Sequence, residues 1–300
     1  MKKNNFIYLT ICTGILILLA SAKLHAQDST ANTAKVKPTY IEDEFWDTRT
    51  LNGQSLETTH KGNLDFRIQH HLGRLNGGFN ELFGLDQASV RFGFEYGILD
   101  WLSVGVGRST LDKYYNGSIK AKILRQSKGT KRMPLSITGF VDMGIASGKF
   151  AYTNRNNYFN SRLYYTYQLI IGGYYWNRLA VQVSPTLVHR NLVATTKDKN
   201  DVFAIGFSGR VRLNYRIALV GEYYYVIPKQ IYAQYNGSDV VNTFSVGVEI
   251  FTGKHVFQLF LTNAVGSNEK QFITENTESW IHNGIHIGFN FTRQFTVANY

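Results

Sequence analysis

The sequence predicts an all-β chain: a transmembrane antiparallel β-barrel of about 12 strands, of the outer-membrane type. Three observations predict it. Strand-like segments run to ten residues or more, short and long links alternate along the chain, and aromatic residues gather at strand ends. Strands of soluble sheets cluster near ~5 to 6 residues, whereas a strand that crosses a bilayer needs ~9 to 11. No segment after the leader approaches the ~18 apolar residues of a spanning helix. In lipid the backbone of such a chain is satisfied only by a closed barrel.

Residues 1–26, MKKNNFIYLTICTGILILLASAKLHA, combine Lys2 and Lys3 with an apolar run from Phe6 to Ala20 and read as a secretory signal peptide, cut at Ala26 or at Ala22. The single cysteine, Cys12, lies inside that run, so the exported chain has no thiol for a disulfide, a metal or a nucleophile. Without Lys2, Lys3 and Lys23, the formal charge of +11 becomes +8. That basic balance suits anionic headgroups of outer-membrane lipid and lipopolysaccharide, and export removes nucleic acid as a partner. Residues 27–62 are expected to form a periplasmic N-terminal segment. It opens polar and then carries IEDEFWDTRTLNGQS. With an even strand count both termini share the periplasmic side, which leaves an arm, a short plug or a peptide for a periplasmic partner. The cluster Glu42, Asp43, Glu44, Phe45 and Trp46 has the composition of a docking element, and a disordered linker is the competing reading.

The barrel is expected over 63–295, with a tail at 296–300. Its strands fall near 63–72, 88–98, 101–111, 116–126, 134–144, 160–174, 179–190, 201–214, 217–227, 241–251, 254–264 and 280–292. VRFGFEYGILDWLSVGVGR shows the logic: Val90, Phe92, Phe94 and Tyr96 share one face, Arg91, Gly93, Glu95 and Gly97 the other, and Leu102, Val104 and Val106 resume the apolar face after a tight turn. Links near Leu99, Trp176, Tyr215 and Gly253 are short, as periplasmic turns are, while 73–87, 145–159, 191–200, 228–240 and 265–279 are long, as outer loops are. Aromatic residues at strand ends, among them Trp101, Tyr114, Tyr158, Trp176, Tyr215 and Trp280, suit interfacial girdles. In the last strand, Asn283, Gly284, Ile287 and Phe289 follow the pattern read by barrel-assembly machinery.

The runs TRTLNGQSLETTHKGNLDFRIQHHLG and FGLDQASVRFGFEYGILDWLSVGVGRS, followed by IKAKILRQ, resemble an uncharacterised β-barrel family of Gram-negative outer membranes, catalogued as a domain of unknown function. The resemblance covers the chain from about Thr48 onward. Where that family commonly carries Arg, this sequence has His71. It implies a barrel and a location but no reaction.

Parity places Arg67, Arg91, Lys120, Lys122, Arg162, Arg190, Arg210 and Arg212 in the lumen with Asp65, Glu95, Asp142, Glu222 and Glu249. Either these charges pair across facing strands and fill the lumen, or they line a channel biased toward anions. His70 and His71, as neighbours on a strand, point to opposite faces. His71, His282 and His286 are metal candidates at the seam, with 282 and 286 sharing a strand face; three separate lumen histidines are the competing reading. No GxSxG elbow and no catalytic spacing occurs, so no enzyme and no cofactor is expected. A small-solute channel or transporter and a structural or interaction barrel with a filled lumen are the two readings left open.

Overall fold

The computed structural model describes residues 38–300 apart from 43, 130, 131, 151–155, 236, 299 and 300. The expected leader and residues 27–37 lie outside the described residues. Twelve antiparallel strands close into one barrel. They are β1 (Asn63–Arg74), β2 (Ala88–Leu99), β3 (Leu102–Ser109), β4 (Tyr114–Leu124), β5 (Ser136–Ala146), β6 (Leu163–Tyr175), β7 (Leu179–Arg190), β8 (Asp201–Arg212), β9 (Ile217–Val226), β10 (Thr243–Phe251), β11 (His255–Thr262) and β12 (His286–Thr296). Each pairs with its sequence neighbours, and β12 closes on β1 through pairs such as Thr292 with Arg67 and Phe291 with Ile68. Among the described residues no helix is long and apolar enough to cross a membrane.

Alternation sets the two faces. Phe92, Phe94 and Val106 are exposed on the outside, while Arg91 and Ser103 are buried within. Outward aromatic side chains meet across strands, Phe66 with Phe94 at 5.1 Å and Phe257 with Phe291 at 5.0 Å between ring centroids. Such cross-strand pairs fix register as well as covering the backbone. Trp101, Tyr158, Trp176 and Tyr215 are exposed near strand ends as expected, but Tyr114 is buried and points inward.

The last strand is displaced from its expected range. It begins at His286, and Trp280–His282 form a 3-10 turn closed by Asn283 in the left-handed region (φ 58°). Asparagine tolerates that conformation and ends the turn. The expected tail shrinks accordingly, because Thr296 still pairs with Asn63.

The two ends of the barrel differ. One carries the short turns and both ends of the described chain. There Thr39–Tyr40 pair with Ser127–Lys128, and Ile41 N–H donates to the Gln126 carbonyl at 2.9 Å. At the other end the long link between β11 and β12 folds inward. It carries α1 (Glu269–Thr274), every residue of which is buried, with Asn268 as its N-cap.

Candidate functional site, a chain segment inside the lumen

Sequence parity leaves the purpose of the lumen open; the structure fills it. Residues 44–59 run up inside the barrel from the turn end and back, and all of them but Trp46 and Glu57 are buried. This plug is a hairpin. Ser55 N–H donates to Thr48 O at 3.0 Å, and Thr50 N–H donates to Gly53 O at 2.9 Å. Its tip, TLNG, has turn chemistry. Glycine is required at 53, where a Cβ would come within 1.9 Å of the Tyr224 hydroxyl.

The tip closes around one carboxylate. Glu222 of β9 accepts from the Thr50 hydroxyl (2.6 Å), from the N–H groups of Leu51 (3.3 Å), Asn52 (2.9 Å) and Gly53 (3.2 Å), and from the Asn52 amide (2.6 Å). A carboxylate is acceptor-only, so it suits a cage of donors, and each charge-assisted bond is stronger than a neutral one. Around the rest of the hairpin the wall supplies polar partners. Gln182 of β7 accepts from Leu56 N–H (3.1 Å) and donates to Gln54 O (2.6 Å). Thr138 of β5 donates to Leu56 O (2.7 Å), and Asn290 of β12 donates to Leu51 O (2.7 Å). Gln258 of β11 donates to Thr50 O, and Ser245 of β10 accepts from the Asn52 amide at 2.8 Å.

Charge completes the seat. Arg67 of β1 pairs with Asp47 and donates to the Thr48 hydroxyl at 2.7 Å, while Thr292 donates to Asp47 at 2.6 Å. Lys120 donates to Thr48 O (2.5 Å). Lys122 lies 2.8 Å from Glu57 and 3.6 Å from Glu44. Glu95 accepts from the hydroxyls of Thr48 (2.9 Å) and Ser103 (2.7 Å). Arg210 stands over the Trp46 ring at 4.5 Å and lies 3.8 Å from Glu249. Burial pushes the Glu44 carboxyl up to about 7, since Lys122, which opposes the rise, is nearer to Glu57. At Glu57 burial acts in the same sense, but Lys122 outweighs it and lowers the value.

The inward-folded link meets the plug from the other end. Glu269 accepts from the Gln54 amide at 2.8 Å and lies 3.2 Å from Arg49. Behind it Phe272 and Ile273 pack with Val188, Val202, Ala204, Tyr224 and Ala264, with Phe272 edge-on to Tyr224 at 4.9 Å. A cavity of about 20 Å³ remains beside Arg49, Arg67 and Glu95, and one of about 100 Å³ opens at the turn end around Trp46 and Lys254.

Asp65 accepts from the Thr59 hydroxyl of the plug (2.7 Å), Asp142 accepts from the Asn116 amide (2.5 Å) and Arg190 donates to Lys199 O (2.8 Å); the other expected lumen residues divide into three groups. Arg67, Lys120, Lys122, Arg210, Glu95 and Glu222 touch the plug. Arg91 binds Gln69 (3.0 Å) and Asn116 (3.1 Å) on the wall, and Glu249 accepts from Gln258 at 2.9 Å. Arg162 and Arg212 stand at the rims. Arg162 lies in a 3-10 turn before β6 and donates to the Ala146 carbonyl at 2.8 Å, whereas Arg212 caps the turn end by donating to Asn177 O at 2.6 Å. Arg162 precedes its strand by one residue, and Arg212 is the last residue of β8.

The histidine set is also corrected. His282 is exposed in its 3-10 turn and shares no strand face with His286. His286 is buried, with Nδ1 2.8 Å from Leu72 O and Nε2 3.9 Å from Glu278. His71 lies edge-on to Phe260 at 5.7 Å. Among the described residues no group of three or more His, Cys, Asp or Glu is placed to hold a metal ion.

Comparison with known proteins adds a family. The family model described as "Membrane bound beta barrel domain (DUF5777)" matches residues 45–295, which takes in the plug as well as the wall. No curated protein matches the sequence. Among solved structures, the COG4313 outer membrane channel from Pseudomonas putida F1 is similar at 13% identity over 80% of this chain and 98% of that one (TM-score 0.48). The NanC porin matches at 9% identity over 77% and 98% (TM-score 0.48). LpxR from Salmonella typhimurium matches at 13% identity over 77% and 99% (TM-score 0.39).

Proposed function

This chain belongs to the membrane-bound β-barrel domain family, and on that premise we propose that it is a gated channel for small polar solutes, shut at rest by its own residues 44–59. The observation that carries this reading is the chemistry of the plug's seat. The hairpin is held by hydrogen bonds from β1, β2, β4, β5, β7, β9, β10, β11 and β12. Water can replace polar partners of this kind at small net cost, since a typical exchanged hydrogen bond is worth only ~0.5 to 1.5 kcal/mol. A wall of Gln, Ser, Thr and charged side chains stays hydrated once the segment withdraws, and both ends of the plug leave at the turn end, through Ile41 and Gly62.

In this reading the chain is exported by its leader to the outer membrane of a Gram-negative bacterium, with the turn end facing the periplasm. The barrel-assembly machinery recognises the last strand, and outer-membrane lipid and lipopolysaccharide surround the wall. A periplasmic partner reaches the plug through the stretch before it. Glu44 and Phe45 are taken up by the lumen, whereas Thr39, Tyr40 and Glu42 are exposed and accessible to that partner. The chain is not an enzyme in this reading: the polar groups of the lumen serve to seat the plug.

The test is a reversible lock. The Asn52 amide and the Ser245 hydroxyl are 2.8 Å apart, so cysteines at these positions, bridged by a short bis-thiosulfonate linker through reducible disulfides, would tie the hairpin tip to β10. In a planar bilayer the reduced protein should show brief openings, as the plug withdraws from time to time, and the oxidised protein should show none. The competing reading, a permanently filled structural or interaction barrel, is favoured by the apolar packing of Phe272 and Ile273. It wins if both redox states are silent.

A further inference from the structure

The gate reading leaves open what the channel takes, and the plug itself carries the information. Its acidic side chains are not spread evenly: Asp47, Glu44 and Glu57 all lie against cations of β1 and β4. Its one basic residue in the hairpin, Arg49, faces the opposite way, toward Glu269. The cations are fixed in place. The side chains of Arg67 and Lys122 are 6% and 4% exposed, and Lys120 is as deeply buried. Hydroxyls stand among them. Arg67 Nε donates to Thr292 at 3.0 Å, and Ser136 and Thr138 on the next strand both donate to the plug.

From this arrangement we infer that Arg67, Lys120, Lys122 and Thr292 form a binding site for a hydroxylated oligocarboxylate, whose place the plug's own carboxylates hold at rest. The inference rests on the gate reading. Each wall cation meets an oxygen of the plug that an anionic solute would supply equally well: Asp47 Oδ1 for Arg67, Thr48 O for Lys120, Glu57 Oε2 for Lys122. Arg and Lys with mixed hydroxyls recognise carboxylates by charge-assisted bonds. When the plug withdraws, these groups face water, with the wall carboxylate Glu95 acting on Arg67 and Lys120, and among the described residues the ion pairs of Lys122 are with the plug. A solute that binds there excludes the plug from its seat. The solute therefore opens its own path by competition, because a ligand shifts a two-state equilibrium only through its preference for one state.

Plug accessibility tests this in the full chain. Ser55 is buried in the hairpin, and Cys12 is the chain's only native cysteine, so a Ser55→Cys variant with Cys12→Ala where the leader is retained reports plug withdrawal by maleimide labelling. Citrate is the probe, against sodium chloride at matched ionic strength and against spermidine. Citrate at about ten times its dissociation constant should speed labelling about tenfold, as for a ligand that binds only the open state. Arg67→Gln and Lys122→Gln should raise the basal rate, since they loosen the seat, yet bring the ratio with and without citrate toward one. Equal acceleration by sodium chloride would mean simple screening and would overturn the inference, as would a citrate response that survives both variants. Failure here leaves the redox lock's result standing, whereas a barrel silent in both redox states removes the gate whatever citrate does to labelling.

Discussion

The two segments that fill this barrel are held by different balances of polar and apolar contact. The plug, residues 44–59, sits among carboxylates, amides and hydroxyls, with Glu222 at its tip. The lid at the other end buries Phe272 and Ile273 among Val188, Val202, Ala204 and Tyr224. The plug also buries Phe45, Leu51 and Leu56 against Ile170, Ala180, Val220 and Phe260, but most of its contacts are polar, and water can stand in for polar partners whereas exposed apolar surface has no substitute contact in water. The difference assigns motion to the plug and permanence to the lid.

The largest expected effect breaks the lid. Phe272→Ala removes a buried ring from a close-packed cluster, and such truncations cost ~3 to 5 kcal/mol. Unfolding of the barrel in lipid vesicles should register that loss, and amides of α1 should lose hydrogen-exchange protection. If protection is lost in the plug and kept in α1, the assignment of permanent and mobile parts is reversed.

The next effect loosens the plug. In Glu222→Gln one acceptor oxygen becomes a donor, which faces either the two Asn52 donors at Oε1 or the Thr50, Leu51 and Gly53 donors at Oε2. The loss of charge-assisted bonds should cost ~1.5 to 3 kcal/mol of docking. Hydrogen exchange at residues 50–53 should quicken accordingly while the strands keep their protection. Loss of protection throughout the wall would show that the plug is part of the barrel's core and not a separable gate.

The wall was legible in the sequence, whereas a short plug was only one of three readings open for residues 27–62, and the cause is periodicity. Strands such as Ala88–Leu99 carry an alternation that survives any tertiary detail. TRTLNGQSLETT has no period, because a hairpin surrounded by wall on all sides has no solvent face to make polar. Its signal was electrostatic. Parity puts more Lys and Arg than Asp and Glu on the inner wall, and a buried cation needs a partner. Glu44, Asp47 and Glu57 are the carboxylates that make up the difference, and they lie in the one acidic stretch before the barrel. His282 was misplaced for the complementary reason: the two-residue period was carried past the end of the strand, where a turn takes over.

The smallest effect is a pH dependence confined to the plug. Burial raises Glu44 from 4.5 to about 7, so between those values the docked plug keeps a proton that the withdrawn plug has released. A raised folded-state pKa contributes stability that is fully present below the unfolded value and is lost as pH climbs through the folded one. Docking should therefore weaken between pH 6 and 8 by about 1 kcal/mol, close to tenfold in the open population. Hydrogen exchange at residues 44–59, corrected for the intrinsic rate at each pH, should show that slope, and Glu44→Gln should flatten it. Lys122 would then be left to Glu57 alone, at 2.8 Å, and the seat would hold equally at both pH values. A slope that persists in Glu44→Gln would move the titration to another group and detach the plug's pH response from the Lys122 pair.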